Sequence, residues 1–170
     1  GGTAATLAAA NYTLSGVLSG DTVSLNAPTN GAYATKDVGS GKAVSVSGLA
    51  LTGADAGDYV LSSGAAAANI GTIAKAVLTP GLVGTVSKIY DGSVSATLVA
   101  ANYALGGVFE GDSVQLNDPT LGTYDTPTAG TGKVVTVSGL TLTGASAGDY
   151  LLAATTVSGT VGVITTPPVS

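Results

Sequence analysis

Two carboxylate positions and one lysine position recur along this chain: Asp21 and Asp112, Asp58 and Asp149, Lys42 and Lys133. Any chemistry would have to be built from them, because the 170 residues contain no His and no Cys. Without imidazole or thiolate, a nucleophile lacks its usual base. A Ser–Lys pair is formally available, but Ser and Thr are so frequent here that placing one near Lys42 or Lys133 carries no information. The chain reads as a non-enzyme with no cofactor. A structural calcium stays as an alternative; it needs about 6–8 oxygens from clustered acids, whereas Glu110, Asp118 and Asp125 have no recurring partner. The Gly-Asp steps at 20–21 and 111–112 read instead as turn caps. A Lys–Asn isopeptide would need Lys42, Asn26 and Asp21, or Lys133, Asn117 and Asp112, side by side. The plainer reading of both lysines is a solvated ammonium.

The stretch KIYDGS, residues 88–93, joins a cation, an aromatic and a carboxylate in front of a glycine. Asp91-Gly92 falls between two strand-like runs, TVSKIY and SVSATL. Asp-Gly there predicts a two-residue hairpin of type I′, with positive φ at both residues. Tyr90 then packs at a strand end, and Tyr90-Asp91-Gly92 is a fold signature rather than an active site. Tyr33 and Tyr124 are the pair that could serve as stacking platforms for a sugar.

These residues recur because the chain is one unit written twice. Asn11-Tyr12 returns as Asn102-Tyr103, Gly41-Lys42 as Gly132-Lys133, and AGDY at 56–59 returns at 147–150, always 91 residues on. That period suits a small domain better than a solenoid turn of about 20–50 residues. We read 1–79 and 80–170 as two tandem modules, with the joint near KAVLTPG at 75–81. Gly1 aligns with Gly92, so the first module starts just past its own Tyr-Asp, as if cut from a longer array. Its leading strand is expected to be absent or supplied by a neighbouring chain.

The elements that position these residues alternate with period two. Val44 and Val46 share a face opposite Ser45 and Ser47, and Val135 and Val137 repeat the pattern. Further strands are expected at 12–18, 22–26, 59–63 and 69–76, with turn clusters between them and no helix. The segment ADAGDYVL, and ASAGDYLL in the second copy, looks like the tyrosine corner of immunoglobulin-like domains, with Tyr59 and Tyr150 as the corner residues. Ser146 stands where the first copy has Asp55, and there is neither Trp nor disulfide. The expected fold is all-β: two tandem immunoglobulin-like antiparallel β-sandwich modules. The expected core of the first is Leu14, Val17, Val23, Leu25, Val44, Val46, Leu49, Leu51, Tyr59, Leu61, Ile70 and Ile73.

Composition limits the partners. Charged residues are 9% and the net charge is −5, with five lysines and no arginine. No basic stripe is available to hold phosphates, which argues against nucleic acid. The longest uncharged runs are broken by Ser, Thr, Asn and Gly, which argues against a spanning helix. A β-barrel stays a remote alternative.

Taken in order, KIYDGSVSATL, ANYAL, GDSVQL, GTYDT, GTGKVVTVSGLTLTGASAGDYLL and VGVI resemble one YDG repeat domain. Such repeats occur in large exported bacterial haemagglutinin-like and filamentous adhesins, including two-partner-secreted exoproteins. The resemblance covers nearly the whole chain. It implies an extracellular or bacterial cell-surface module that acts as a stalk or spacer, in cell adhesion or in biofilm matrix assembly. The implied partners are neighbouring repeats and other copies in a filament, packed end to end through joints around residues 74–92. The alternative is a glycan- or exopolysaccharide-binding module built around Tyr33 and Tyr124. The family brings no catalytic residues to carry over.

Overall fold

The computed structural model describes residues 1–170. The chain is all-β and divides into two compact units, Gly1–Ala74 and Lys75–Ser170. In the first, β1 (Ala4–Thr6), β3 (Asn30–Tyr33), β4 (Gly39–Ser47) and β6 (Ala65–Ile73) form a sheet in the order β1-β3-β4-β6. The short strands β2 (Ser24–Leu25) and β5 (Leu51–Thr52) pair separately. Every pair in this unit is antiparallel.

The second unit opens with β7 (Ala76–Leu82) and β8 (Val86–Ile89). It continues with β9 (Ser95–Thr97), β10 (Tyr103–Gly106), β11 (Gln115–Leu116), β12 (Leu121–Tyr124), β13 (Gly130–Ser138), β14 (Leu142–Thr143), β15 (Tyr150–Leu152) and β16 (Thr156–Thr165). A five-stranded sheet runs β8-β16-β13-β12-β9; β10-β7-β15 and β11-β14 form two smaller ones. Buried residues of the large sheet, among them Val86, Ala96, Tyr124, Val135 and Ile164, meet Leu105, Leu116, Leu142 and Leu152 of the smaller sheets in one core.

The register repeats pair for pair. Ala5 opposes Gly31 as Ala96 opposes Gly122, and Lys42 opposes Gly71 as Lys133 opposes Gly162. The register shifts flanking Lys42 recur flanking Lys133. Glycine at 31 and 122 follows from crowding: a Cβ on Gly122 would sit 2.9 Å from Leu98 Cδ1 and 2.9 Å from the Thr136 carbonyl. The valine alternation of β13 works as expected, with Val135 and Val137 buried while Thr136 Oγ1 and Ser158 Oγ hydrogen-bond across strands at 2.8 Å.

Four differences from the sequence reading stand out. The division between the units falls at 74/75, at the edge of the expected joint, but 76–82 is not a linker: these residues are the central strand of the β10-β7-β15 sheet. The pairing is not wholly antiparallel, since β7 runs parallel to β15 and β8 parallel to β16. Parallel neighbours need a long crossover, and here most of the unit lies between them. The segments 12–18 and 59–63 are not strands, although their equivalents β10 and β15 are. Those two pair with β7, one on each side. Finally, of the twelve core positions expected in the first unit, only Val44 and Val46 are fully buried. Ile70 is 57% exposed, and the others, including Tyr59 and Leu61, are partly buried.

Candidate functional site

The KIYDGS stretch links β8 to β9, the two edge strands of the five-stranded sheet, which touch each other. Lys88 lies near the end of β8 with its side chain 17% exposed. Its Nζ donates to Asp91 Oδ1 at 2.8 Å, to the Ser93 carbonyl at 2.7 Å and to Ser93 Oγ at 2.9 Å. The same ammonium sits 5.5 Å from the centre of the Tyr124 ring, close enough for a cation–π contact. Asp91 Oδ1 also accepts the Ser93 N–H at 2.9 Å and the Ser93 hydroxyl. The Lys88 hydrogen bond, then those from Ser93, pull the Asp91 carboxyl from its ordinary 3.8 down to about 2.

This is not the expected hairpin. β8 and β9 are not paired with each other, and of Asp91 and Gly92 only Gly92 has positive φ, at 78°. The aspartate closes the turn through its side chain, accepting the amide two residues on. Tyr90 is 45% exposed, and its N–H donates to the Thr165 carbonyl.

The tyrosine of AGDY finds an acid rather than a carbonyl. Tyr150, 3% exposed, donates to Asp112 Oδ2 and accepts the Phe109 N–H at 3.2 Å. Tyr59 repeats this with Asp21 and the Leu18 N–H, and the Asp21 hydrogen bond raises its phenol above 10.0. The Gly-Asp and AGDY motifs are therefore two halves of one link. Even the Asp55 and Ser146 difference keeps its purpose: Asp55 Oδ2 accepts the Thr22 N–H, and Ser146 Oγ accepts the equivalent Ser113 N–H.

The two sugar-platform candidates separate. Tyr124 is 3% exposed, lies over Gly162 and donates to the Val86 carbonyl of β8 at 2.8 Å. Burial raises its phenol. It has no free face on which a sugar could stack. Tyr33 is partly buried beside Ala5, Leu7 and Val44.

The lysines also differ from expectation. Lys133 is 8% exposed, not solvated; its Nζ donates to Thr126 Oγ1 and stands 3.6 Å from Asp125 Oδ1. Lys42 donates to the equivalent Thr35. The asparagines of the isopeptide alternative are occupied elsewhere: Asn117 donates to the Gly139 carbonyl and accepts the Thr141 N–H. Asn26 does the same with Gly48 and Ala50. No three acids converge on a common point as a calcium cage would need.

Two roles went unread in the sequence. Asn102, 7% exposed, accepts the Val99 N–H and donates to the Val83 and Thr85 carbonyls, tying the β7–β8 connection down. Tyr103 and Tyr12 donate to the carbonyls of Pro119 and Pro28. The recurrence of Asn-Tyr in both copies was the signal available for both.

No helix is long and apolar enough to cross a membrane. No curated protein and no solved structure matches the chain. The YDG domain model matches twice, over residues 1–68 and 73–157. The second match takes in β7 and β8 together with the Tyr90-Asp91-Gly92 turn. The chain belongs to the YDG domain family.

Proposed function

We propose that this chain is a structural repeat of an extracellular bacterial adhesin or surface filament, in which each unit is an immunoglobulin-like β-sandwich that spaces or anchors a binding region. One observation carries this reading. Two pairs of recurring residues that could have done chemistry are spent inside the fold, on the same bonds in both copies: Asp21 and Asp112 on tyrosines, Asn26 and Asn117 on backbone. Repetition of a self-satisfied unit supplies length, and length is what a stalk needs. The β-rich architecture and membership of the YDG domain family are compatible with a place at the bacterial cell surface, with roles in adhesion or biofilm matrix.

The test is small-angle scattering on chains carrying two, four and six units. A maximum dimension that grows in proportion to the number of units supports the spacer. Growth as the square root of that number, the signature of freely jointed units, overturns it. Selective retention of the chain on a broad glycan array, lost on Tyr33→Ala, would favour exopolysaccharide binding instead.

A further inference from the structure

The two copies share one piece of forced backbone. Ala27 stands at φ 46° and Asp118, its equivalent 91 residues on, at φ 48°; every other residue with positive φ is a glycine. Each of the two precedes a proline, Pro28 or Pro119. Left-handed backbone is costly for an L-residue, and the ring of a following proline restricts the residue before it further. The fold imposes this conformation from both sides. Ahead of the step, the Asn117 N–H donates to the Thr141 carbonyl at 3.1 Å; beyond it, the Thr120 carbonyl accepts the Leu98 N–H at 2.9 Å. Between them the Tyr103 hydroxyl donates to the Pro119 carbonyl. The first copy repeats all three bonds, from Asn26 to Ala50, from Leu7 to Thr29 and from Tyr12 to Pro28.

The second copy alone places a reactive group on this step. Asp91, Asp112 and Asp125 have their carboxylates engaged by Lys88, Tyr150 and Lys133. Asp118 instead lines a shallow pocket with Ala100, Tyr103, Leu105 and Leu116. It lies close enough to the Tyr103 clamp for its charge to act there: burial first, and the Asp118 charge second, raise that phenol above 10.0. An aspartate carboxyl can close a five-membered ring in two ways. In one, the next residue's amide nitrogen attacks the side-chain carbon, which requires an N–H that proline lacks. In the other, the carboxyl oxygen attacks the residue's own carbonyl carbon, and that route stays open at Asp118.

We propose that Asp118–Pro119 is a self-cleavage site, at which the second unit cuts its own backbone between β11 and β12. Asp118 Oδ bonds to the Asp118 carbonyl carbon, forming a cyclic anhydride. The bond from that carbon to the Pro119 nitrogen breaks, and the carboxyl proton passes to the departing nitrogen. One water then opens the anhydride, leaving Asp118 with two carboxyl groups and Pro119 as a new amino terminus. The attack is intramolecular, so no approach of a second reactant has to be organised. Scission also frees Asp118 from the left-handed conformation, which favours it over the same bond in an unstrained chain. The cut unit need not fall apart. β12 stays paired with β9 and β16 with β8 across the break, and Tyr103 holds the Pro119 carbonyl. A covalent connection is thereby exchanged for sheet hydrogen bonds.

The test incubates the whole 170-residue chain in mildly acidic buffer, folded and in urea, and follows it by denaturing mass spectrometry. Fragments 1–118 and 119–170 should form at least about tenfold faster from the folded chain, the factor that releasing one left-handed residue supplies. Asp118→Ala should abolish them. That variant places at 118 the residue the first copy carries at the same φ, so it is expected to fold. Co-elution of the two fragments in native size exclusion would support the held break. A second scission after residue 27 in Ala27→Asp would support the role of the backbone. A folded chain that stays whole overturns the proposal. So does scission no faster than in urea, or scission that persists at 118 in Asp118→Ala.

Discussion

Tyr150 donates a 2.5 Å hydrogen bond to Asp112 Oδ2, 38 residues earlier, while accepting the Phe109 N–H. One buried phenol thereby ties the Gly-Asp turn to the strand β15. Tyr150→Phe should destabilise the second unit by about 1–3 kcal/mol, because a charged acceptor and a backbone donor both lose their partner. Combined with Asp112→Asn in a double-mutant cycle, the two changes should be non-additive by about 0.5 kcal/mol or more. Urea denaturation of the four proteins measures this; additive losses would mean that the bond contributes nothing.

Asp91 should confer an acid-sensitive component of stability. Its carboxyl titrates at about 2 in the folded chain against an ordinary 3.8, held down first by Lys88. The unfolded state therefore binds the proton more readily. The stabilisation is complete above about pH 4 and declines as pH falls from about 4 to 2. Asp91→Asn should flatten the pH dependence of the unfolding midpoint in that window and leave its slope above pH 5 unchanged. Carboxyl NMR titration gives the second reading: Lys88→Ala should move the Asp91 midpoint upward.

Gly92 has φ 78°, and a Cβ built there meets nothing within 4 Å. Any penalty is then backbone strain alone. Gly92→Val should cost about 1–2 kcal/mol, and Gly92→Asn distinctly less, since asparagine visits left-handed space more readily. Thermal melts of both variants separate this from a clash, which would penalise Asn as well.

Ala27 holds φ 46° without being a glycine. Ala27→Gly should stabilise the first unit by relieving that strain, by up to about 1 kcal/mol after the added freedom of the unfolded chain is offset. A lowered calorimetric midpoint would contradict this.

Leu78 is the most enclosed side chain of β7, at 0% exposed. Leu78→Ala should destabilise the second unit by about 2–5 kcal/mol. Val60, 93% exposed in the first unit, should tolerate alanine with a change within about 0.5 kcal/mol. Urea melts of the two variants make the comparison.

Much of this protein is written locally. The 91-residue repetition, the valine alternation of β4 and β13, the absence of long helices and the glycine turns are all readable because strand periodicity and turn chemistry act over a few residues. The recurrence of Asp112, Asn117 and Tyr150 marked them as important, yet gave no partners, because those lie 22 to 41 residues away. Lys133 reads as a surface lysine until β12 and β16 close around it, and Tyr124 as a platform until β8 covers it.

The sequence by itself determined an all-β chain made of two like copies 91 residues apart, with the alternating faces of β4 and β13. Tertiary structure alone decided that residues 76–82, just past the unit boundary, form a central strand, and that YTLS at 12–15 and YALG at 103–106 adopt different backbone states. The reason is physical. A strand is stabilised by the neighbour that completes its hydrogen-bond ladder and covers its apolar face. That neighbour is specified by topology, so near-identical segments become strand or coil according to whether β7 lies beside them.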